Sequence, residues 1–260
     1  MAVTEKPVAL TRAVSPLLGS CELTHLGRTK IDLELAAEQH SDYEKALEKM
    51  GYVIRRIPET PHLPDGVFVE DTAVVFPEIA IITRPGAESR RPETETMAEV
   101  LTEYRKLEFI QSPGTLDGGD VLTLGKEVYV GLSTRTNKQA IKQFAEFLKP
   151  FGYNVTAVPV TKCLHLKTAI AVIEDDLLLI NPEWLHPATF PDHHCEPVHP
   201  EEPYGTNLLR KNHWALCSSA FPHTIDWLNA RGYSVLDIDQ SEMAKAEAGL
   251  TCCSVLLDLV

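Results

Sequence analysis

Apolar runs and polar breaks alternate along the chain in a pattern that repeats. Each repeat begins with a short polar or glycine-containing segment, which we call a tag. Two short runs rich in β-branched residues follow, separated by a turn, and in several repeats an amphipathic segment precedes the next tag. The pattern recurs about every 42 to 49 residues and predicts two strands and often a helix in each unit.

Five such tags can be placed along the chain. They are Glu70-Asp71, segment 117–120, segment 165–167, segment 205–207 and the turn that leads into Cys252. The predicted strands are 72–76, 79–83, 121–124, 127–131, 168–173, 177–180, 208–210, 214–218, a terminal strand from Cys252 to Leu259, and the N-terminal run 7–10. The predicted helices are 32–50, 92–107, 137–149 and 222–231.

Units of this kind do not bury their apolar faces alone, so packing around a common axis is expected. The terminal strand would then pair with the N-terminal run and close a ring, with the tags facing its centre. A mixed α/β sheet with coincidental spacing is the alternative, and periodicity alone does not choose between the two.

Composition narrows the class of protein. With 260 residues, 44% hydrophobic and 23% charged, the chain is typical of a globular protein, and we expect a single catalytic domain over residues 1–260. No apolar run is long enough to predict a membrane span. The formal net charge of −13 disfavours nucleic acid and anionic membranes as partners and favours a small cationic substrate.

Cysteine usage indicates the compartment. The six cysteines include the adjacent pair Cys252 and Cys253, which suits a disulfide framework poorly, and a chain of this size does not need one. We therefore expect free thiols in a reducing cytoplasm, in a monomer or homodimer.

The tags also carry chemistry. If the ring forms, the carboxylates of the first two tags, His165, Asn207 and a thiol converge on one pocket. A cysteine, a histidine and acidic groups suit nucleophilic attack on a cationic carbon. Taken singly, each residue has a plainer interpretation: His165 between two leucines could be a core histidine, and Gly118-Gly119 a tight turn.

Six strings in this sequence resemble the dimethylarginine dimethylaminohydrolase family. They are 63–75 (LPDGVFVEDTAVV), 82–91 (ITRPGAESRR), 115–122 (TLDGGDVL), 130–137 (VGLSTRTN), 164–167 (LHLK) and 250–256 (LTCCSVL). The resemblance runs in order over nearly the whole length. It implies the fold of the guanidino-group-modifying (pentein) superfamily, a five-bladed α/β propeller of ββαβ-type pseudo-repeats around a central active-site cavity.

The resemblance also implies an activity. Members hydrolyse N-omega-methylated arginine, such as asymmetric dimethylarginine or monomethylarginine, to citrulline and di- or monomethylamine without a metal or organic cofactor. Carried over by position, Cys252 is the nucleophile that forms an S-alkylthiouronium intermediate, His165 the general acid and base, and Asp117 the orienting carboxylate. Cys253 is then a core thiol, because alternate residues of a regular strand face opposite sides.

The same resemblance assigns the substrate-binding residues. Carboxylates would bind the guanidinium, two arginines the α-carboxylate and one aspartate the α-ammonium, while backbone positions complete the pocket. The carboxylates are those of Glu70, Asp71 and Asp117, and the arginines are Arg90 and Arg135. The aspartate is Asp65. The backbone positions are Leu23 and Ala246, with Leu23 on a loop that could act as a lid. Without the resemblance, an arginine in the charged turn at 84–91 is more often a solvated surface residue.

Two regions depart from the family pattern. Glu247 occupies a position that is commonly aspartate, so the preferred guanidine is less certain than the chemistry. The segment 186–204, with His186, His193, His194, Cys195 and His199 among prolines, offers a zinc alternative, but it is more typical of a proline-rich loop that replaces a helix.

Three other functions remain open at this point. Arginine and agmatine deiminases share the cysteine and histidine, although they generally have His-x-Asp where this chain has His165-Leu166-Lys167. An amidinotransferase would use the same fold. A non-catalytic binding protein would have no reason to bring thiol, imidazole and carboxylate together.

Overall fold

The computed structural model describes residues 6–258, and within that range the chain forms five separate three-stranded sheets. The strands are β1 (Val8–Thr11), β2 (Val53–Arg56), β3 (Ala73–Val75), β4 (Ile79–Ile82), β5 (Lys106–Phe109), β6 (Val121–Leu124), β7 (Glu127–Leu132), β8 (Asn154–Pro159), β9 (Ile170–Glu174), β10 (Leu177–Ile180), β11 (His194–Pro197), β12 (Leu209–Lys211), β13 (Trp214–Ser218), β14 (Ser234–Ile238) and β15 (Val255–Leu257). The helices are α1 (Leu33–Lys49), α2 (Glu93–Leu101), α3 (Lys138–Leu148), α4 (Leu166–Ala169), α5 (Pro222–Ala230) and α6 (Ser241–Ala244).

All five sheets share one topology. The middle strand pairs antiparallel with an inner strand and parallel with an outer strand that returns after a connecting segment, as in β3-β4-β5 and β6-β7-β8. In the fifth sheet the middle strand is β1, which pairs antiparallel with β15 at Leu10 and Val255. The two ends of the described chain therefore meet in one sheet, which confirms the predicted five-bladed propeller.

Burial explains which strands the sequence pattern revealed. Middle strands such as β1 and β4 are buried at every residue, and they read as continuous apolar runs. Outer strands such as β2 and β5 are exposed at both ends and carry charged residues. The outer strand of each blade was accordingly missed, and the predicted helix 92–107 was wrong beyond Leu101 because its last residues form β5.

The helix ends agree better with the prediction where a cap is present. Asp32 accepts hydrogen bonds from the backbone N–H groups of Glu34 and Leu35 at the start of α1, and Asn137 accepts one from Ala140 at the start of α3. These side chains satisfy donors that the first helical turn leaves free.

Two further local predictions need correction. The predicted strand 168–173 begins only at Ile170, because residues 166–169 form the short helix α4. The proline-rich segment is not wholly a loop, since it contributes β11 to the third sheet, β9-β10-β11.

The terminal strand also begins later than predicted. Cys252 and Cys253 lie in a 3-10 turn, and β15 starts at Val255; Leu259 lies outside the described residues. Each tag comes directly before an inner strand, so the inner strands place the tags near the axis. Within residues 6–258 no helix is long and apolar enough to cross a membrane. A single catalytic domain over 1–260 stays a prediction.

Candidate active site

Tags from three of the five blades line one narrow cavity, which we call the cysteine pocket, through Asp71, His165 and Cys252. Its volume of about 20 Å³ has room for about one water molecule. The lining residues are Glu22, Asp65, Phe68, Asp71, Arg90, Arg135, Leu164, His165, Ala246, Glu247, Ala248 and Cys252. Thiol, imidazole, carboxylates and guanidinium groups therefore share one pocket. Of the tag residues expected to converge there, Asp71, His165 and Cys252 line it, whereas Glu70, Asp117, Asp120 and Asn207 do not.

The turn before β15 determines which cysteine reaches the pocket. Cys252 lines it, and its Sγ accepts a hydrogen bond from the backbone N–H of Gly249 at 3.4 Å. Cys253 is 4% exposed and packs in the apolar core. The prediction separated the two thiols by strand alternation, whereas a 3-10 turn separates them in the structure.

Gly249 is required for this turn. A Cβ on Gly249 would come within 1.4 Å of the Asn207 amide nitrogen, so no side chain fits there. This close approach packs the segment before the 3-10 turn of Cys252 against Asn207, which belongs to the tag of the fourth blade. Asn207 therefore supports the turn from the side, and it does not line the cysteine pocket.

His165 lies at the N-terminus of α4 and is 4% exposed. Its Nε2 is 3.1 Å from Asp117 Oδ2, and its Nδ1 is 4.0 Å from Asp71 Oδ1. Burial alone would lower the pKa of His165, but the carboxylates of Asp71, Asp117 and Asp120 outweigh it and raise the pKa to about 9. The imidazole is therefore protonated at neutral pH and can act as a proton donor.

Backbone packing fixes the ring in place. A Cβ on Gly119 would lie 2.6 Å from His165 Nδ1, so the glycine lets the backbone approach the imidazole closely. The neighbouring Asp120 does not line the pocket; it accepts hydrogen bonds from the backbone of Leu166 and from the hydroxyls of Ser133 and Thr136. This aspartate of the second tag thus anchors α4.

The thiol of Cys252 is also held in its protonated form, which for a thiol is the neutral one. Burial disfavours the thiolate of Cys252, and the carboxylates of Glu70 and Asp71 repel it, which raises the pKa to about 12. Without a cation in the pocket, Cys252 is therefore a neutral thiol.

Arg90 is committed to a buried ion network. Its Nη1 donates to Asp71 Oδ2 at 2.7 Å, while its Nη2 and Nε donate to Glu93, with Nη2 at 2.9 Å from Oε2. Nη2 also donates to the carbonyl of Phe68. Among the described residues, one of the five N–H groups, on Nη1, has no protein acceptor. The predicted contact with a substrate carboxylate is thus restricted to that group.

The network also sets the charge of Asp71. Burial would raise the pKa of this carboxyl, but His165 and Arg90 together hold it below its usual value, and the N–H of Gly119 donates to it. Asp71 is therefore an anion placed between a guanidinium and an imidazolium.

Asp117 is fully buried and accepts three hydrogen bonds. The donors are the Gly86 N–H at 2.8 Å, Arg135 Nη1 at 3.4 Å and His165. A Cβ on Gly86 would lie 2.5 Å from the Arg135 carbonyl oxygen, so glycine permits this contact between the two segments. Asp117 orients His165 and Arg135 from below the pocket.

Three other predicted residues behave differently from one another. Asp65 lines the pocket and accepts the backbone N–H of Glu22 with both oxygens. Glu70 accepts from Lys167 and Thr251 beneath the cysteine turn and does not line the pocket. Leu23 packs against the core beside the pocket rather than lining it.

The loop that carries Leu23, residues 21–28, borders the pocket through Glu22, and we call it the lid loop. Glu247 accepts hydrogen bonds from the backbone N–H groups of Thr24, His25 and Leu26. Its backbone has a φ of 59°, a left-handed conformation that a glutamate rarely adopts. Arg135 adds a bond from Nη2 to the Thr24 hydroxyl at 3.1 Å.

Sequence reasoning missed this role of Glu247 and also missed Glu22, Phe68, Leu164 and Ala248 as lining residues. Their only signal was proximity in sequence to residues that were predicted.

Two groups of residues bring together potential metal ligands. One, formed by Asp71, Asp117 and His165, belongs to the cysteine pocket. The other joins His199 to Glu201 and His223 at the surface. The two imidazoles stack with centroids 3.7 Å apart and planes 20° apart, so their in-plane lone pairs do not converge on one point. This conformation does not form the site that the zinc alternative requires.

Comparisons with known proteins identify relatives over nearly the whole chain. The model of the family described as N,N dimethylarginine dimethylhydrolase, eukaryotic, matches residues 26–189. The N(G),N(G)-dimethylarginine dimethylaminohydrolase of Pseudomonas aeruginosa is 36% identical, over 95% of this chain and 97% of the relative. The enzyme of the same name from Streptomyces coelicolor is 39% identical, over 96% of each chain.

Solved structures give the same result for the fold. A cysteine-to-serine mutant of the Pseudomonas aeruginosa enzyme, described as complexed with citrulline, superposes with a TM-score of 0.92 at 34% identity, covering 96% of this chain and 98% of that one. The N-terminal domain of the arginine dihydrolase ArgZ has a TM-score of 0.87 at 15% identity, a likeness of fold alone. The chain therefore belongs to the dimethylarginine dimethylaminohydrolase family of hydrolytic enzymes.

Proposed function

We propose that this enzyme hydrolyses N-omega-methylated arginine to citrulline and a methylamine through a covalent intermediate on Cys252. The observation that carries the proposal is the imidazole of His165, bound between Asp117 and Asp71 in the pocket that Cys252 lines. Proton donor and nucleophile then meet in one anionic pocket, which suits a cationic guanidinium.

The substrate itself activates the thiol. A guanidinium beside Cys252 offsets the repulsion from Glu70 and Asp71 and lowers the pKa of the thiol from its value of about 12. The enzyme would thus form its thiolate only when a cation occupies the pocket. This coupling protects an otherwise reactive sulfur from other electrophiles.

In the first step the thiol of Cys252 loses its proton to solvent, because His165 is already protonated, and the thiolate adds to the guanidinium carbon and forms a C–S bond. Protonated His165 gives its proton to the substituted nitrogen, and the C–N bond breaks to release the amine. The S-alkylthiouronium left on Cys252 retains one positive charge, and His165 is neutral.

In the second step a water molecule adds to the same carbon while His165 takes one of its protons. Collapse of this adduct breaks the C–S bond and releases citrulline with the free cysteine. Asp117 keeps the imidazole oriented through both transfers. General acid and base catalysis of this kind contributes on the order of 10² to 10⁴ in rate.

The amino-acid end of the substrate lies towards the arginines. Arg135 is placed to bind the α-carboxylate, Arg90 adds its remaining Nη1 hydrogen, and Asp65 binds the α-ammonium with the backbone near Leu23 and Ala246. Asp71, Asp117 and Glu70 supply the negative field for the guanidinium. Because the pocket is far smaller than an amino acid, the lid loop must open before the substrate enters.

The test is to incubate the protein separately with asymmetric dimethylarginine, monomethylarginine, arginine and agmatine, and to measure citrulline or carbamoylputrescine together with amine release. We expect citrulline from the two methylated substrates. Preferred turnover of arginine or agmatine would instead assign a deiminase.

The adjacent cysteines provide a matched pair of variants. Cys252→Ser should abolish citrulline formation, whereas Cys253→Ser should retain it if the variant folds, as shown by its thermal midpoint. Full turnover by Cys252→Ser would exclude the mechanism.

A further inference from the structure

A second cavity, which we call the side chamber, lies beside the cysteine pocket and has a volume of about 360 Å³. Its lining residues are His25, Leu26, Lys162, Cys163, Leu164, Thr168, Tyr204, Asn207, Ser218, Ala220, Phe221, Asp239, Gln240, Ser241, Ala244, Glu247 and Ala248. Leu26 and Tyr204 are 44% and 41% exposed, so the chamber meets solvent at that rim.

The chamber adjoins the cysteine pocket through the segments that lead to His165 and to Cys252. The two cavities share three wall residues, Leu164, Glu247 and Ala248. Leu164 directly precedes His165 in the chain, and Ala248 precedes the glycine that donates to Cys252 Sγ. None of the residues proposed to bind the amino-acid end, namely Asp65, Arg90 and Arg135, lines the chamber.

The chamber wall suits a small alkylamine. Apolar side chains such as Phe221 and Leu26 provide surface for the carbon atoms of the amine. The charged groups of the wall, Asp239, Glu247 and Lys162, are of both signs, so the wall does not exclude a neutral amine. Asn207 Oδ1 is buried and, within residues 6–258, accepts no hydrogen bond. An unpaired buried acceptor is costly, and a ligand N–H would satisfy it.

The lid loop bears on how the amine leaves the cysteine pocket and how water enters it. The lid loop is bound to Glu247 and to Arg135, the residue proposed to bind the α-carboxylate, so a loop that stays bound would hinder exchange at the amino-acid end. The covalent intermediate would still fill that end when the amine departs and water must arrive. The exchange of amine for water therefore needs space on the other side of Cys252.

We propose that the side chamber is the subsite for the departing amine, and that it accepts N-omega substituents larger than methyl. The proposal rests on the proposed function above. The C–N bond to the substituted nitrogen breaks as His165 protonates that nitrogen, and the neutral alkylamine moves into the chamber. Water enters by the same path and adds to the carbon bound to Cys252.

The test compares N-omega-monomethylarginine with N-omega-n-propylarginine, since both yield citrulline. We expect the native enzyme to have kcat/KM values for the two substrates within about tenfold of each other, because the chamber has room for the longer chain. Ala244→Phe fills the chamber from α6 without touching the cysteine pocket. It should lower kcat/KM for the propyl substrate at least about tenfold more than for the methyl substrate.

Ala37→Phe is the matched control, because Ala37 is an exposed helical alanine on α1 that does not line the chamber. It should leave the ratio of the two substrates unchanged. Ala220→Phe, which enters the chamber from another wall, replaces Ala244→Phe if that variant does not fold.

The outcomes separate the two proposals. Citrulline from the methyl substrate together with rejection of the propyl substrate by about 100-fold, or an equal loss of both in the chamber variants, overturns the chamber proposal and leaves the proposed function standing. Absence of citrulline from the methyl substrate overturns both.

Discussion

The cysteine pocket and the side chamber share three wall residues, yet they are built on different principles. The pocket has a volume of about 20 Å³ and is lined by buried ionic groups that are paired with one another. The chamber is many times larger, mostly apolar, and open to solvent at its rim. Ionic groups whose positions are fixed by mutual pairing can tune pKa values, whereas a loosely lined space can accept groups of different size.

The largest difference between the two cavities should appear in turnover. His165→Asn removes the proton donor and should lower kcat by about 10² to 10⁴-fold. Ser218→Ala, in the chamber wall, should change kcat by less than about threefold. Steady-state assays of citrulline check both, and similar losses in the two variants would remove the functional distinction between the cavities.

Substitutions in the two cavities should also differ in their effect on the free energy of unfolding. Asp71→Asn leaves Arg90 buried with one carboxylate fewer, and such a loss typically costs about 3 to 5 kcal/mol. The pKa of His165 should fall in this variant, which shifts the alkaline limb of activity to lower pH. Asp239→Asn, at the exposed chamber wall, should cost less than about 1 kcal/mol. Denaturant unfolding and a pH profile measure these effects, and equal costs for the two variants would contradict the account.

The pH dependence of stability follows from the same imidazole. The pKa of His165 rises from an ordinary value near 6.5 to about 9 on folding, so protonated His165 stabilises the native state fully below about pH 6.5. This stabilisation is lost as the pH rises through about 9. Relative to His165→Asn, the native enzyme should lose on the order of 3 kcal/mol of its free energy of unfolding between pH 6 and pH 9.5. A constant difference across that range would show that the imidazole is not held protonated.

The smallest effect is expected at the wall between the cavities. Glu247→Gln weakens the bonds to the lid loop and should raise KM by about three- to tenfold, with a smaller effect on kcat. Amide hydrogen exchange at Thr24, His25 and Leu26 should accelerate in this variant. Glu88→Gln, an exposed surface change, is the control. Unchanged exchange at the lid would mean that Glu247 does not fasten it.

The sequence predicted those parts of the fold that carry a strong local signal. The middle strands are buried on both faces and so appear as β-branched runs, and α1 and α3 have capping residues at their starts. The outer strands were missed because they are half exposed and rich in charge, as in β5. A local pattern of that kind does not distinguish a strand from the end of a helix.

The residues of the candidate site also differ in whether a local or periodic signal in the sequence could predict them. Cys252, His165 and the acidic tags could be grouped because they precede inner strands at corresponding positions of the repeat, and the family resemblance then implied their separate roles. The pairing of Arg90 with Asp71, and the contact of Glu247 with the lid loop, join segments that are distant in sequence. Only the folded chain reveals them, because neither pairing has a periodic or local signature.

The central claim is covalent catalysis by Cys252, and the most direct measurement is the intact mass of the enzyme quenched in acid during turnover of asymmetric dimethylarginine. We predict a mass increase equal to the substrate less dimethylamine, located on Cys252 by peptide fragmentation, retained in Cys253→Ser and absent in Cys252→Ser. An adduct on Cys253, or citrulline production by Cys252→Ser at the native rate, would contradict the account.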